Sequence, residues 1–130
     1  MKIAVLDDNA DDLHALCTMI DTVCAEQTPR PMIRAFTDER KFLAHMSSAR
    51  ADIVFLDIYL KERTGIRTAQ ILRSFNTSCA IIFVTSSREH AVEAFDVTAS
   101  HYLIKPVTEA GVREALSRTP FFKKDRPTIT

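Results

Sequence analysis

Uninterrupted apolar runs alternate with spaced apolar stripes along this chain. Ile3–Leu6 (IAVL), Ile53–Leu56 (IVFL) and Ala80–Val84 (AIIFV) are apolar at every position. A strand with one wet face alternates polar and apolar residues, whereas a strand covered on both faces does not. These runs therefore predict buried strands of a parallel sheet. Between the first two, Leu13, Leu16, Cys17, Ile20, Val23 and Cys24 are spaced by 3, 1, 3, 3 and 1. That is one stripe on a helix from about Asp11 to Ala25, with Asp11 and Asp12 at its positive end. Pro29 and Pro31 break the chain, and Met32–Phe36 reads as a second strand. Thr37 or Asp38 caps a short helix carrying Phe42, Leu43 and Met46. Gly65 precedes a helix with Ile66, Ala69, Leu72 and Phe75 at three-residue intervals. Ser86 and Glu89 have capping-box spacing before a helix with Ala91, Ala94 and Phe95. His101–Ile104 is a short fifth strand, and Thr108 caps a last helix through Val112, Ala115 and Leu116 that Pro120 ends. Strand and helix alternate five times. That order predicts a doubly wound α/β domain over residues 1–119, with 120–130 as a linker start or disordered tail.

Bulk properties narrow the function classes. The chain has 130 residues, enough for one domain with its own core, and 46% of them are hydrophobic. Lys plus Arg and Asp plus Glu both number 17, so the formal charge is zero. This argues against nucleic-acid binding by these residues alone, which wants a basic excess. No apolar run approaches the ~20 residues of a membrane span. No secretory signal is read at the start, and three cysteines without C-x-x-C spacing predict reduced thiols in a cytoplasm. Two glycines leave no P-loop and no G-x-G-x-x-G.

Ligands of open α/β sheets gather beyond the carboxyl ends of the strands. There the sequence places Asp7 and Asp8 after strand one, Asp57 after strand three, Thr85 after strand four, and Lys105 with Pro106 after strand five. The three acids and the lysine sum to −2 if ionised. Crowded carboxylates raise one another's pKa unless a cation intervenes. Oxygen-only ligands favour Mg²⁺, Mn²⁺ or Ca²⁺, and few protein ligands with room for phosphate favour Mg²⁺. A carboxylate beside such an ion can attack phosphorus and form an aspartyl phosphate.

These residues resemble a response-regulator receiver domain of two-component signalling. The likeness rests on "AVLDDN", "VFLDIYL", "IIFVTSS" and "YLIKPV", on Tyr102 three before Lys105, and on Gly65 eight after Asp57. It spans residues 1 to about 119. It implies a flavodoxin-like (βα)5 fold with strand order 2-1-3-4-5. It implies that Asp57 accepts a phosphoryl group from a sensor histidine kinase. It also implies Mg²⁺, with Mn²⁺ as substitute, held by Asp7, Asp8, Asp57 and the Tyr59 backbone carbonyl. Thr85 and Tyr102 would form the switch, Lys105 would pair with the phosphate, and the Lys105–Pro106 bond would be cis. The face of helix four, strand five and helix five would serve dimerisation or output. A narrower likeness, in "HAVEAFDVTASHYLIKPV", is to receivers attached to LytTR-type DNA-binding domains. Such a domain would lie beyond Thr130, since the residues after Thr119 are too few to form one. The proline usual four after Asp57 is replaced by Lys61, and Ser86 replaces the commoner alanine. Tyr59 and Ser87 occupy positions that tune dephosphorylation in the family.

Other readings fit less well. Asp7–Asp12 has D-x-N-x-D spacing, but a calcium loop wants Gly at its sixth position and Glu at its twelfth, where Asp12 and Thr18 stand. An aspartyl-nucleophile phosphatase wants an acid two after its nucleophile, where Tyr59 or Asn9 stands. A stand-alone receiver, or a pseudo-receiver acting only by protein binding, is the remaining alternative. Cys17 and Cys24 read as core residues, and His14, His45, His90 and His101 share no ligand spacing.

Overall fold

A computed structural model describes residues 1–61 and 63–122. Glu62 of the "YLKERT" loop and the basic tail residues Lys123, Lys124 and Arg126 lie outside the described residues. The elements run β1 (Lys2–Leu6), α1 (Ala10–Cys24), β2 (Met32–Phe36), α2 (Glu39–Ser48), β3 (Ile53–Asp57), α3 (Gly65–Arg73), β4 (Ala80–Thr85), α4 (Ala91–Asp96), β5 (His101–Ile104) and α5 (Glu109–Ser117). All strand pairs are parallel, and the sheet order is β2-β1-β3-β4-β5. The three runs apolar throughout are the three interior strands. The edge strand β2 is largely exposed or half-buried.

Period-2 alternation divides the core between the two faces of the sheet. Ile3, Val5, Ile53, Phe55, Ile82, Val84 and Leu103 meet α1 and α5 through Leu16, Ile20, Val112 and Leu116. Ala4, Leu6, Val54, Leu56, Ile81 and Phe83 meet the other layer through Phe42, Met46, Ile66, Leu72 and Ala94. Each interior strand is thus apolar on both faces because a helical layer covers each. Phe122 is buried in the α1–α5 cluster, so packing continues past Thr119. Among the described residues no helix is long and apolar enough to cross a membrane.

Four helices start on side-chain caps. Asn9 accepts from Asp12 N–H, Asp38 from Arg40 and Lys41 N–H, Thr64 from Arg67 N–H, and Thr108 from Gly111 N–H. The fifth departs from expectation. The Ser86–Glu89 capping box does not form: α4 starts after His90, which makes no side-chain cap bond. Glu89 N–H donates to Ser87 Oγ at 3.2 Å, and the Glu89 carboxylate is taken by the Tyr59 hydroxyl. Phe95, grouped with Ala91 and Ala94 on the expected helix, is 82% exposed, and Ala94 is the buried residue of α4. Phe75 likewise falls past the end of α3 and is exposed. Periodicity identifies a stripe but not whether a neighbour lies opposite it.

Candidate functional site

The carboxyl ends of β1 and β3 lie side by side, with Leu6 paired to Leu56. The sheet order reverses direction between these strands, which opens a crevice there. Asp7 follows β1 and is 1% exposed, while Asp57 ends β3 and is 6% exposed. Asp8 is half-buried and lines a cleft of about 440 Å³ with Thr37, Asp38, Leu60 and Lys61. Carboxylate oxygens of Asp7, Asp8 and Asp57 all lie within 4.8 Å of one another. Backbone N–H groups fix each acid: Asn9 donates to Asp7 Oδ1 at 2.9 Å, Tyr59 to Asp57 Oδ1 at 3.1 Å, and Lys61 to Asp8 Oδ2 at 2.7 Å.

Lys105 reaches in from the end of β5. Its Nζ lies 3.0 Å from Asp7 Oδ2 and 3.4 Å from Asp57 Oδ2. The Lys105–Pro106 peptide bond is cis, and Lys105 N–H donates to Thr85 O at 2.8 Å. Thr85 Oγ1, one residue beyond the strand partner of Asp57, is buried with no hydrogen-bond partner among the described residues. A buried hydroxyl without a partner is costly. An acceptor arriving above Asp57 would relieve it.

Tyr102 faces elsewhere: its hydroxyl donates to Ser87 O at 2.7 Å. Tyr59 Oη donates to Glu89 Oε1 at 2.6 Å, and its ring meets His90 edge-on. The β3–α3 and β4–α4 loops are thereby fastened to each other beside the site. Behind the first of these loops, buried Glu39 accepts from Thr68 Oγ1 and pairs with Arg63 Nε at 2.8 Å.

Electrostatics make the cluster asymmetric. Burial pushes the Asp57 carboxyl up to about 6, and the Asp7 charge adds to the rise. Lys105 and the Tyr59 N–H act against it. Burial alone would lower Lys105, but hydrogen bonds to Asp12 and Asp7 and the charge of Asp57 outweigh it and raise the ammonium's pKa. A surplus of negative charge, an all-oxygen donor set and a poorly compensated carboxylate suit a hard divalent cation. The residues present fit Mg²⁺ at Asp7, Asp8 and Asp57.

The Asp57 shift has a measurable sign. The folded chain holds this proton more tightly than the unfolded chain does. The stability it contributes is full below the ordinary value of 3.8 and is lost as pH rises through about 6. In metal-free protein this group is expected to remove about 2 kcal/mol between about pH 4 and about pH 7. Urea unfolding across that range, with Asp57→Asn as reference, checks it. A native profile parallel to that of Asp57→Asn would contradict the assignment.

Burial also pushes the Cys24 thiol up to about 11 and raises Cys17 and Cys79, which leaves all three as poor nucleophiles. Cys24 and Cys79 are buried, while Cys17, expected in the core, is only half-buried.

Residues 3–117 match the family model for the response regulator receiver domain. The chain belongs to that family. The response regulatory domain of MrkE from Klebsiella pneumoniae has the same fold, with a TM-score of 0.80 at 30% identity over 92% of this receiver and 94% of that chain. The transcriptional regulatory protein YpdB of Escherichia coli K12 is 30% identical over 118 residues, 91% of this receiver and 47% of that protein. The sensory transduction protein LytT of Bacillus cereus is 36% identical over 84 residues, 65% of this receiver and 33% of that protein. The receiver therefore spans less than half the length of these curated relatives.

The geometry brings Asp7, Asp8, Asp57, Thr85 and Lys105 to one edge, as expected, and leaves Tyr102 outside that cluster. It adds Asp12, read from sequence as a first-turn helix acid, whose Oδ2 lies 2.9 Å from Lys105 Nζ. Only the packing of α1 beside α5, which follows Lys105 in the chain, discloses that contact.

Proposed function

We propose that this receiver accepts a phosphoryl group from a sensor histidine kinase on Asp57 and switches an attached output. The observation that carries the reading is the convergence of Asp57, Asp7, Asp8 and Lys105 at the sheet edge where the unpartnered hydroxyl of Thr85 ends β4. An ionised Asp57 oxygen attacks phosphorus in line with the P–N bond of a phosphohistidine. The P–O bond forms, the P–N bond breaks, and the electron pair leaves with the imidazole, which takes up a proton. A carboxyl with a pKa of about 6 is largely ionised at neutral pH, as a nucleophile needs. Lys105 and Thr85 donate to the equatorial oxygens as charge builds on them.

Asp7, Asp8, Asp57 and the Tyr59 carbonyl would hold Mg²⁺, or Mn²⁺ in its place. The ion supplies charge neutralisation on the phosphoryl oxygens when bound. The chain acts as a phosphoacceptor that catalyses only its own phosphorylation and dephosphorylation. Phosphorylation draws Thr85 and Lys105 to the new group, and Tyr102 leaves Ser87 O to fill space behind Thr85. This passes the change to the α4–β5–α5 face, where dimerisation or an output domain is controlled. The name of YpdB, a transcriptional regulatory protein, with the "HAVEAFDVTASHYLIKPV" segment, supports a regulator of transcription with a LytTR-type DNA-binding domain outside these residues, and reduced thiols suit a cytoplasmic location. The alternative is a stand-alone receiver acting by protein binding.

The test is incubation with acetyl phosphate and Mg²⁺, read by intact mass. One added phosphoryl group, dependent on the metal, is expected, and no addition under any donor would overturn the reading. The fastened Tyr59 ring also shields the acyl phosphate from water. Tyr59→Ala is expected to shorten the phosphate lifetime roughly threefold to tenfold, as loss of an ordinary polar contact does. Decay of the acid-stable label measures it, and an unchanged lifetime counts against the shield.

A further inference from the structure

Lys105 is not bound to the phosphoacceptor first. Its shortest ion pair is the 2.9 Å contact with Asp12, ahead of Asp7 at 3.0 Å and Asp57 at 3.4 Å. An ammonium has three N–H donors, so the three carboxylates occupy all of them. Asp12 is not one of the three clustered carboxylates. It sits in the first turn of α1, fixed by its N–H bond to the Asn9 cap at 3.0 Å. Its side chain is 47% exposed, so water could solvate it without Lys105.

A phosphoryl group on Asp57 needs a donor from Lys105. The bond to Asp57 Oδ2 is the longest, at 3.4 Å, and it is freed where that oxygen becomes the bridging oxygen of the acyl phosphate. The bond to Asp12 is the shortest, points toward α1, and brings a negative charge against an incoming anion. We infer that Asp12 is a positioning residue: it holds the Lys105 ammonium toward α1 and restrains its engagement of phosphoryl oxygens. The inference rests on the phosphoacceptor reading above. Asp12 thereby lowers the occupancy of the phosphoryl-engaged state at rest and offers Lys105 a place to return to when the group is lost.

The experiment compares the native chain with Asp12→Asn, Asp12→Glu and Asp11→Asn. Asp11 lies in the same helical turn and carries the same charge, and it forms no ion pair with Lys105 among the described residues. Beryllofluoride with Mg²⁺ serves as a non-covalent stand-in for the phosphoryl group, followed by NMR titration. Asp12→Asn is expected to bind it roughly fivefold more tightly, the scale of one partly exposed ion pair. Asp12→Glu and Asp11→Asn should match the native chain. In metal-free protein the Lys105 Nζ resonance should shift in Asp12→Asn and stay in place in Asp11→Asn. Unchanged or weaker binding by Asp12→Asn overturns the inference. An equal gain in Asp11→Asn also overturns it, because bulk charge would then be responsible. A native chain that takes no beryllofluoride sinks the phosphoacceptor reading instead. In that case the Nζ resonance decides alone, and its failure to move in Asp12→Asn rejects the restraint. Matching unfolding midpoints show that the variants are folded.

Discussion

Asp57→Asn is expected to gain no phosphoryl mass from acetyl phosphate and Mg²⁺ under conditions that label the native chain. The amide lacks the anionic oxygen that attacks phosphorus, and removal of a nucleophile costs roughly 10³-fold or more in rate. Neither neighbouring acid is placed to substitute. Asp7 is 1% exposed and committed to Lys105 and the Asn9 N–H. Asp8 faces the cleft beside α2 and is tied to the Lys61 N–H. Loss of fold would not explain a negative result, since the same substitution removes a charge that destabilises the folded chain above about pH 6. Intact mass spectrometry with urea unfolding on the same sample separates the two. Continued labelling of Asp57→Asn would place the phosphoacceptor elsewhere.

Gly65→Ala is expected to destabilise the chain by about 4 kcal/mol or more and to abolish phosphorylation with it. A Cβ at position 65 would stand 2.0 Å from Asp57 O, 2.8 Å from Asp57 C and 2.9 Å from Ile58 Cα. All three are backbone atoms, so no rotamer change makes room. The Gly65 φ is not positive; what the position needs is close approach of chain to chain. Gly65 N–H donates to Ile58 O at 2.6 Å, which clamps the start of α3 against the end of β3. Any shift that admits a methyl group displaces the peptide carrying Asp57. Gly111 is the internal contrast. There a Cβ would first meet Thr108 Oγ1 at 3.3 Å and Leu103 Cδ2 at 3.5 Å, both side-chain atoms. Gly111→Ala should cost less than about 1 kcal/mol, since alanine favours a helix interior. Equal urea midpoints for the two variants would refute the distinction.

The interior strands were legible because burial on both faces removes polar residues from β1, β3 and β4 alike. The acids, Thr85 and Lys105 were legible because strand ends of a parallel sheet face one edge, so each needed only a strand boundary to be placed. Contacts between separate elements were not legible. Asp12 reaches Lys105 from α1, and buried Glu39 of α2 meets Arg63 of the β3–α3 loop and Thr68 of α3. A first-turn acid on a helix has the same local signature whether it faces water or a cation. The Ser86–Glu89 spacing misled for a related reason: Tyr59 competes for Glu89 across thirty residues, and local spacing cannot register that. Phe122, read as tail, packs where α1 and α5 leave an apolar gap.

Helix α4 has a consequence for how the domain breathes. It is six residues long, buries Ala94, and leaves Val92 75% and Phe95 82% exposed. Little apolar surface returns to water when it detaches, so its opening free energy sits near the bottom of the range within the domain. Amide hydrogens of residues 91–97 should exchange with deuterium well before those of β3 or β4. On the proposed phosphoacceptor reading, an element with so small a threshold would be repositioned by the modest free energy of one new hydrogen bond at Thr85.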